Sequence, residues 1–256
     1  MQTAERVSHT DISDNYVFQR SQLAYYEAKK IVSGHVLEIG SGQGYGINII
    51  AAKAQRYVAI DKFSTNIEQP KDAPKIEFLN INVPPLTSLD DNSFDFVVSF
   101  QVIEHIKKDK ELVKEVYRIL KPGGKYIVST PNIKTSLTRN PWHIREYTVQ
   151  EFEQLLSNPF ENVVKKGVFG NDKIMEYYKE NKKGVEKITR FDIFNLQYLL
   201  PRQLLQIPYD ILNRRNRKKI LEGNNDLVSN IKMDDYYMAE ANDTCFDLFY
   251  IAEKKK

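Results

Sequence analysis

A glycine-rich turn framed by two carboxylates is the part of this sequence best suited to bind a cofactor. The turn contains Gly40, Gly42 and Gly44 directly after an apolar run, and Glu38 lies two residues before the first glycine. Asp61 follows about twenty residues later, at the end of a second apolar run, where it could accept hydrogen bonds from ribose hydroxyls. Glycine lets the backbone approach a ligand closely. The pattern therefore predicts a nucleoside-binding site.

The spacing of the glycines argues against a dinucleotide. A dinucleotide fingerprint requires a glycine at the position where this chain has Tyr45. A pyrophosphate also prefers bare backbone amides at a helix N-terminus, and the carboxylate of Glu38 would repel it. A cationic ligand would be favoured at the same place, so the expected cofactor is a positively charged nucleoside.

Three later segments strengthen this interpretation. Residues 93–99 have the composition of a buried strand, residues 102–106 contain the Glu104-His105 pair, and residues 118–132 predict a helix, a Pro-Gly-Gly turn and a strand. In order and spacing, roughly residues 20–150 resemble the class I S-adenosylmethionine (SAM) methyltransferases, in particular the type 11 and quinone-biosynthesis enzymes. The resemblance implies an α/β fold with a Rossmann-like sheet of seven strands, mostly parallel, with an antiparallel last strand.

The resemblance also implies contacts with the methionine part and the ribose of SAM. The glycine turn, including Ser41, would hold the methionine part, and Glu38 would lie near its amino group. Asp61, with Lys62 beside it, would bind the ribose diol. Arg20 would bind the cofactor carboxylate, because a guanidinium matches a carboxylate. The alternative for Arg20 is an exposed arginine on a helix.

Further cofactor contacts are expected where the third and fourth strands end. The family usually has an aspartate after the third strand that binds the adenine amino group. This chain has Asn82 there, and its carbonyl oxygen can still accept a hydrogen bond. Beside it in sequence is Val83, and the fourth strand ends with Phe100 and Gln101.

Two histidines are candidates for acid–base chemistry. Transfer of a methyl group to a hydroxyl requires removal of a proton, for which histidine suits neutral pH. His143 follows the fifth strand, where acceptors bind in the resembled family, and it could instead form a structural network with Arg145 and Glu146. His105 could approach the same site, although its role in the family is often structural. No metal-binding motif is recognisable, so no metal is expected.

The spacing of apolar residues divides the chain into three parts. Residues 1–34 are predicted to form an N-terminal helical cap, and residues 35–170 with 242–256 the SAM-binding core of alternating strands and helices. Residues 171–241 are predicted to be a helical insertion. Such insertions often cover the acceptor site in the resembled family. We therefore expect a lid over the carboxyl ends of the strands, with the basic run 214–219 on its outer side.

The amino-acid composition limits the classes of binding partner that are expected. The net charge of +3 does not by itself indicate nucleic acid, and the single cysteine fits a reducing compartment, so a cytoplasmic protein is expected. The basic run next to apolar residues leaves three interpretations. It could be a solvated helix face, a peripheral membrane contact through residues 192–219 that draws a lipid-linked acceptor, or, least favoured, a nucleic-acid contact.

The expected reaction is methyl transfer from SAM to an oxygen of a small molecule or of a lipid- or glycan-linked group. A non-catalytic SAM-binding scaffold protein and an N-methyltransferase are the alternatives.

Overall fold

Eight strands form a single sheet in the computed structural model, which describes residues 7–8, 10–63, 76–192 and 194–256. In chain order the strands are β1 (His35–Ile39), β2 (Arg56–Asp61), β3 (Ile76–Asn80), β4 (Phe94–Phe100), β5 (Leu120–Pro131), β6 (Asn162–Gly170), β7 (Tyr236–Glu240) and β8 (Asp247–Glu253). Their order across the sheet is β3-β2-β1-β4-β5-β8-β6-β7. Residues 1–6 of the predicted cap lie outside the described residues.

Helices surround this sheet. They are α1 (Asn15–Lys29), α2 (Ile47–Ile50), α3 (Asp109–Ile119), α4 (Val149–Leu156), α5 (Asp172–Thr189), α6 (Leu196–Leu199), α7 (Arg202–Gly223) and α8 (Asn225–Ser229). The central strands are buried on both faces, as expected for parallel strands covered by helices. Val36 and Leu37, adjacent in β1, belong to two different apolar clusters, the first packed with α1 and α2 and the second with α3 and α4. No helix in the described residues is long and apolar enough to cross a membrane.

The direction of the strands creates one chemically useful edge. Strands β1 to β5 are mutually parallel, so their carboxyl ends lie together. Strand β8 is antiparallel to β5 and begins at Asp247, which is paired with Pro131 at the end of β5. The first residue of the last strand therefore lies at the same edge as the carboxyl ends of the parallel strands.

The sheet has one strand more than predicted. Strand β7 pairs antiparallel with β6 and lies within residues 171–241, which were expected to be entirely helical. The strand is short, and because it forms the edge of the sheet, its exposure pattern lacks the strict alternation that would reveal it in sequence. Only residues 172–229 of the predicted insertion contain α-helices, and its last residues form β7 instead.

The insertion packs against the N-terminal segment. Tyr16 and Leu23 of α1 share an apolar cluster with Tyr177 of α5 and Ile220 of α7. The stacked rings of Tyr16 and Tyr177 have centroids 4.1 Å apart. In sequence, these contacts join residues that are far apart, which is why the spacing of apolar residues predicts the helices but not their partners.

The basic run is divided between two sides of α7. Asp14, which is fully buried, accepts hydrogen bonds from Arg214 Nη1 at 3.0 Å and Arg217 Nη1 at 2.8 Å. Arg215, Lys218 and Lys219 are exposed. The expectation that the whole run faces outward was therefore wrong for two of its arginines, because a buried carboxylate requires a charged partner.

Removing the Asp14 carboxylate should destabilise the contact between the cap and the insertion. We expect Asp14→Ala to lower the free energy of unfolding by about 3–5 kcal/mol, since it leaves two largely buried guanidinium groups without their shared carboxylate. Chemical denaturation measures this. Asp11→Ala is the matched control, because Asp11 contacts Arg214 at the longer distance of 3.5 Å and is more exposed. Equal stability of the two variants would contradict the structural role of Asp14.

Candidate active site

The glycine turn begins where β1 ends. Gly40 has a φ of +80°, and a Cβ atom at this position would lie 2.3 Å from a methyl group of Val102, so both backbone conformation and packing require glycine. The Gly40 and Ser41 amides donate to the Ile60 carbonyl at 2.7 and 3.2 Å. These bonds hold the turn against the end of β2.

Asp61 makes the second connection between the turn and β2. Its carboxylate accepts one hydrogen bond from the Gly42 amide at 2.8 Å and another from the Phe63 amide at 2.9 Å. A carboxylate has lone pairs for more than two donors. Asp61 can therefore shape the turn and still accept hydrogen bonds from ribose hydroxyls.

Glu38 is buried immediately before the turn. Its two carboxylate oxygens accept hydrogen bonds from the Tyr25 hydroxyl at 2.9 Å and the Tyr57 hydroxyl at 2.7 Å. Burial raises the pKa of Glu38 to about 7, although both tyrosine hydrogen bonds favour the ionised form. The role of Tyr57 was missed from the sequence, because a tyrosine inside a strand has the pattern of an ordinary core residue.

Arg20 reaches the same edge of the sheet and is paired there. Its Nε lies 3.1 Å from Asp247 Oδ2, and the side chains are 19% and 5% exposed. Burial raises the pKa of Asp247, and this is partly opposed by Arg20 and by a hydrogen bond from Gln101. Arg20 is therefore not an exposed helix residue. Its predicted contact with the cofactor carboxylate stays a prediction.

The other expected cofactor contacts lie close to the carboxyl ends of the strands. Phe100 is buried between the rings of Tyr25 and Phe249, with centroid distances of 4.8 and 6.1 Å. Lys62 and Asn82 are exposed after β2 and β3, and Val83 packs against the apolar core. Their contacts with the cofactor stay predictions.

His143 forms an oriented pair with Glu146. The Nδ1 atom lies 2.7 Å from Glu146 Oε1, and both side chains are about nine-tenths buried. Asn140 uses Oδ1 to accept from the Trp142 amide, so its NH₂ group faces His143 Nε2 at 2.9 Å. The neutral imidazole therefore donates its Nδ1 proton to Glu146 and accepts at Nε2. Glu146 also accepts a hydrogen bond from Ser136.

Arg145 does not join the network that was the structural alternative for His143. It contacts Asp109 at 3.4 Å and Glu151 at 3.6 Å, outside the His143–Glu146 pair. The loop carrying His143 is instead held by the insertion. Arg202 of α7 donates to the His143 carbonyl oxygen at 3.1 Å, which connects the insertion directly to the acid–base candidate.

His105 lies beside His143, with ring centroids 5.0 Å apart. One ring nitrogen of His105 lies 3.0 Å from the Trp142 carbonyl oxygen. Ligand atoms of Glu104, His105 and His143 lie within 4.8 Å of one another, a grouping that could hold a metal ion. Motif searches miss this group because its ligands come from loops after two different strands. The expectation of no metal stays a prediction.

A cavity of about 240 Å³ adjoins these residues. Its wall combines the cap, the core and the insertion, and it includes Arg20, Gln101, His143, Glu146, Asn213 and Arg217. Asn213 Oδ1 is buried and has no hydrogen-bond partner within the described residues, and the same holds for Ser41 Oγ in the glycine turn. Buried polar atoms are normally satisfied, so both indicate places for a polar ligand.

Comparison with known proteins identifies this architecture. Residues 37–128, which contain most of β1, all of β2 to β4 and most of β5, match the family model described as a methyltransferase domain. A probable SAM-dependent methyltransferase of Mycobacterium tuberculosis is 37% identical over 183 residues, which are 68% of this chain and 66% of that protein. This chain carries a methyltransferase domain and is similar to the SAM-dependent methyltransferases. Its cofactor is SAM, as the turn after β1 predicts.

The chain is also similar, at lower sequence identity, to other methyltransferases. The ubiquinone biosynthesis O-methyltransferase of Rickettsia typhi is 28% identical over 132 residues, 50% of this chain and 51% of that protein. The chain spans less than two thirds of the length of the mycobacterial relatives that it matches: 62% of a Mycolicibacterium smegmatis protein and 66% of the Mycobacterium tuberculosis protein. A solved Thermotoga maritima SAM-dependent methyltransferase, a possible histamine N-methyltransferase, has a TM-score of 0.53 at 16% identity, covering 94% of this chain and 92% of that one. The predicted Rossmann-like fold is confirmed, with the additional strand β7.

The contact between Asp61 and the ribose can be tested by calorimetry. Asp61→Ala should weaken binding of SAM and of S-adenosylhomocysteine, because the diol loses a charged acceptor worth roughly 1.5–3 kcal/mol, which is about 10-fold to 150-fold in affinity. Asp90→Ala, at an exposed turn before β4, is the control. NAD(H) should not bind. Unchanged cofactor affinity in Asp61→Ala would contradict the assignment.

Protonation of Glu38 should make cofactor affinity depend on pH. With a pKa of about 7 in the free protein, the carboxyl is largely protonated in mildly acidic solution. An ammonium group beside it would favour the ionised form, so binding would release a proton below that pKa. We expect the affinity for S-adenosylhomocysteine to rise about tenfold between about pH 6 and about pH 8. Glu38→Gln should remove this rise in affinity. If the wild type and Glu38→Gln instead show the same dependence on pH, Glu38 does not contact the amino group of the cofactor.

Proposed function

We propose that this methyltransferase transfers the methyl group of SAM to a hydroxyl oxygen of a polar acceptor, either a small molecule or a glycan- or lipid-linked group. The observation that carries the proposal is the oriented His143–Glu146 pair in the wall of a polar cavity at the cofactor edge of the sheet. The cavity wall does not include Gly42 or Asp61. We therefore assign the cavity to the acceptor and the turn to the cofactor.

The proposed chemistry requires alignment and the removal of one proton. Bound SAM supplies a methyl carbon activated by its sulfonium. The cavity would hold the acceptor hydroxyl in line with the carbon–sulfur bond, and most of the rate enhancement would come from this alignment. As the new oxygen–carbon bond forms and the carbon–sulfur bond breaks, His143 Nε2 would take the hydroxyl proton. For this the acceptor hydroxyl would displace the Asn140 amide, which donates to the same nitrogen in the structure. Glu146, at Nδ1, would stabilise the resulting imidazolium, as an adjacent carboxylate does in other enzymes.

The polarity of the cavity supports an acceptor rich in hydroxyl groups. Asn213 Oδ1 offers a hydrogen-bond acceptor, while Arg20 and Arg217 supply donors. An aromatic ring without polar substituents would leave Asn213 Oδ1 unsatisfied at a cost of about 1–3 kcal/mol. The Rickettsia typhi relative, which is named an O-methyltransferase, also favours oxygen as the methylated atom. An amine acceptor and a non-catalytic SAM-binding role remain the alternatives that the following assay separates.

Replacing His143 should abolish turnover without abolishing cofactor binding. We expect His143→Ala to reduce acceptor-dependent release of S-adenosylhomocysteine by about 10²–10⁴-fold. The assay uses a panel of oligosaccharides, catechols and amines as acceptors. His35→Ala, at the opposite end of β1, is the matched control and should retain activity. Retained turnover in His143→Ala would leave alignment alone as the mechanism, and no turnover with any acceptor would favour the scaffold role.

A chelator distinguishes a base from a metal ligand. If His143 acts as the base, turnover should be the same with and without EDTA. A loss of turnover with EDTA, restored by Mg²⁺ or Zn²⁺, would instead assign Glu104, His105 and His143 to a bound ion.

A further inference from the structure

Over residues 202–217, helix α7 has a mostly polar side turned inward and an apolar side turned to solvent. Asp210 and Asn216 are buried, and Asp210 accepts a hydrogen bond from the Trp142 indole at 3.0 Å. Leu204, Ile207 and Ile211 are 64%, 65% and 51% exposed. A surface helix of a globular protein normally shows the reverse arrangement. The cavity and Asp14 explain the inner polarity. Nothing in the part of the chain that the structure describes explains the outer apolar side chains.

The apolar surface continues in the segment before α7. Phe194 and Leu199 are 75% and 73% exposed. We call the set of large apolar side chains between residues 191 and 211 that are more than half exposed the outer face; it comprises Phe191, Phe194, Tyr198, Leu199, Leu204, Ile207 and Ile211. A soluble monomer rarely exposes so many large apolar side chains in so short a segment unless they contact something.

Basic residues adjoin the outer face. Arg215, Lys218 and Lys219 are exposed and follow Ile211 at helical spacing, so they extend the same side of α7. Arg190 is exposed at the other end of the segment. Between residues 182 and 219 the chain carries ten lysines and arginines but only three acidic residues, more excess positive charge than the whole protein has.

We propose that the outer face docks the protein on an anionic lipid surface. Aromatic and aliphatic side chains would enter the interface between headgroups and acyl chains, and the neighbouring basic residues would face lipid phosphates. A second copy of this chain is a poorer occupant, because a symmetric contact would bring the same basic residues together. The positive charge of the surrounding residues therefore favours an anionic lipid surface over a second copy of the chain.

This orientation would bring the acceptor cavity close to the lipid. Asn213 and Arg217 line the cavity from the inner side of the same helix whose outer side carries Ile207 and Ile211. Docking would hold a lipid-linked acceptor near His143. The docking itself does not rest on the proposed methyl transfer, since it can be measured without SAM or any acceptor.

Co-sedimentation with vesicles tests the docking. The full-length protein should pellet with phosphatidylcholine vesicles that contain phosphatidylglycerol and stay in solution with pure phosphatidylcholine. Binding should weaken as salt is raised, because exposed charges are screened. Replacing Arg215, Lys218 and Lys219 by Ala should weaken binding about fivefold for each charge removed. The double variant Leu204→Gln with Ile207→Gln should also lose binding, at unchanged cofactor affinity.

Matched controls distinguish docking through the outer face from non-specific binding through exposed charge or exposed apolar residues elsewhere. Lys107→Ala with Lys110→Ala removes exposed charge elsewhere, and Val164→Gln removes an exposed apolar side chain from β6. These variants should bind vesicles like the wild type. Failure of the wild type to pellet with anionic vesicles at low salt would overturn the proposal. So would equal binding by all variants, or a dimer in sedimentation velocity that the Leu204→Gln, Ile207→Gln variant abolishes without any vesicle binding.

Discussion

The burial of the Glu38 carboxylate is the constraint from which much of the site follows. A carboxylate at that depth needs donors, and the two it has come from different parts of the chain: Tyr57 from the neighbouring strand and Tyr25 from α1. The helix must therefore lie directly against the glycine turn, where Gly46 leaves no room between the backbone and the Tyr25 ring. The hydrogen bond from Tyr25 to Glu38 thus holds the N-terminal helix beside the cofactor site.

The same helix carries this constraint to the insertion. At its start, Tyr16 stacks on Tyr177 of α5. Asp14, directly before the helix, accepts hydrogen bonds from two arginines of α7. Arg20, between these points, pairs with Asp247 at the beginning of β8. The cofactor turn, the last strand and the insertion are thus all attached to a single helix. This arrangement explains why the cavity has walls from three parts of the chain that lie apart in sequence: the cap, the core and the insertion.

Sequence patterns predicted the features that depend on neighbours along the chain. The strands β1 to β5 and the glycine turn follow from local spacing. The partners of buried charges could not be predicted in this way. Asp247 and Arg20 are distant in sequence, as are Asp14 and Arg217, and nothing in either segment marks the other. For the same reason the sequence predicts a single basic surface for residues 214–219. The buried carboxylate of Asp14 instead turns two of the arginines inward and leaves the other basic residues exposed.

The long separation between the first helix and its partners also sets an order of assembly. The Tyr236 hydroxyl donates to the Tyr16 carbonyl oxygen across 220 residues, and Asp14 and Arg217 are 203 residues apart. During synthesis, the beginning of α1 leaves the ribosome long before either partner exists. Strands β1 to β5 can pair earlier, since their contacts are closer in sequence. The first turn of α1 is therefore synthesised early, but it can reach its native contacts only after nearly the whole chain has been made.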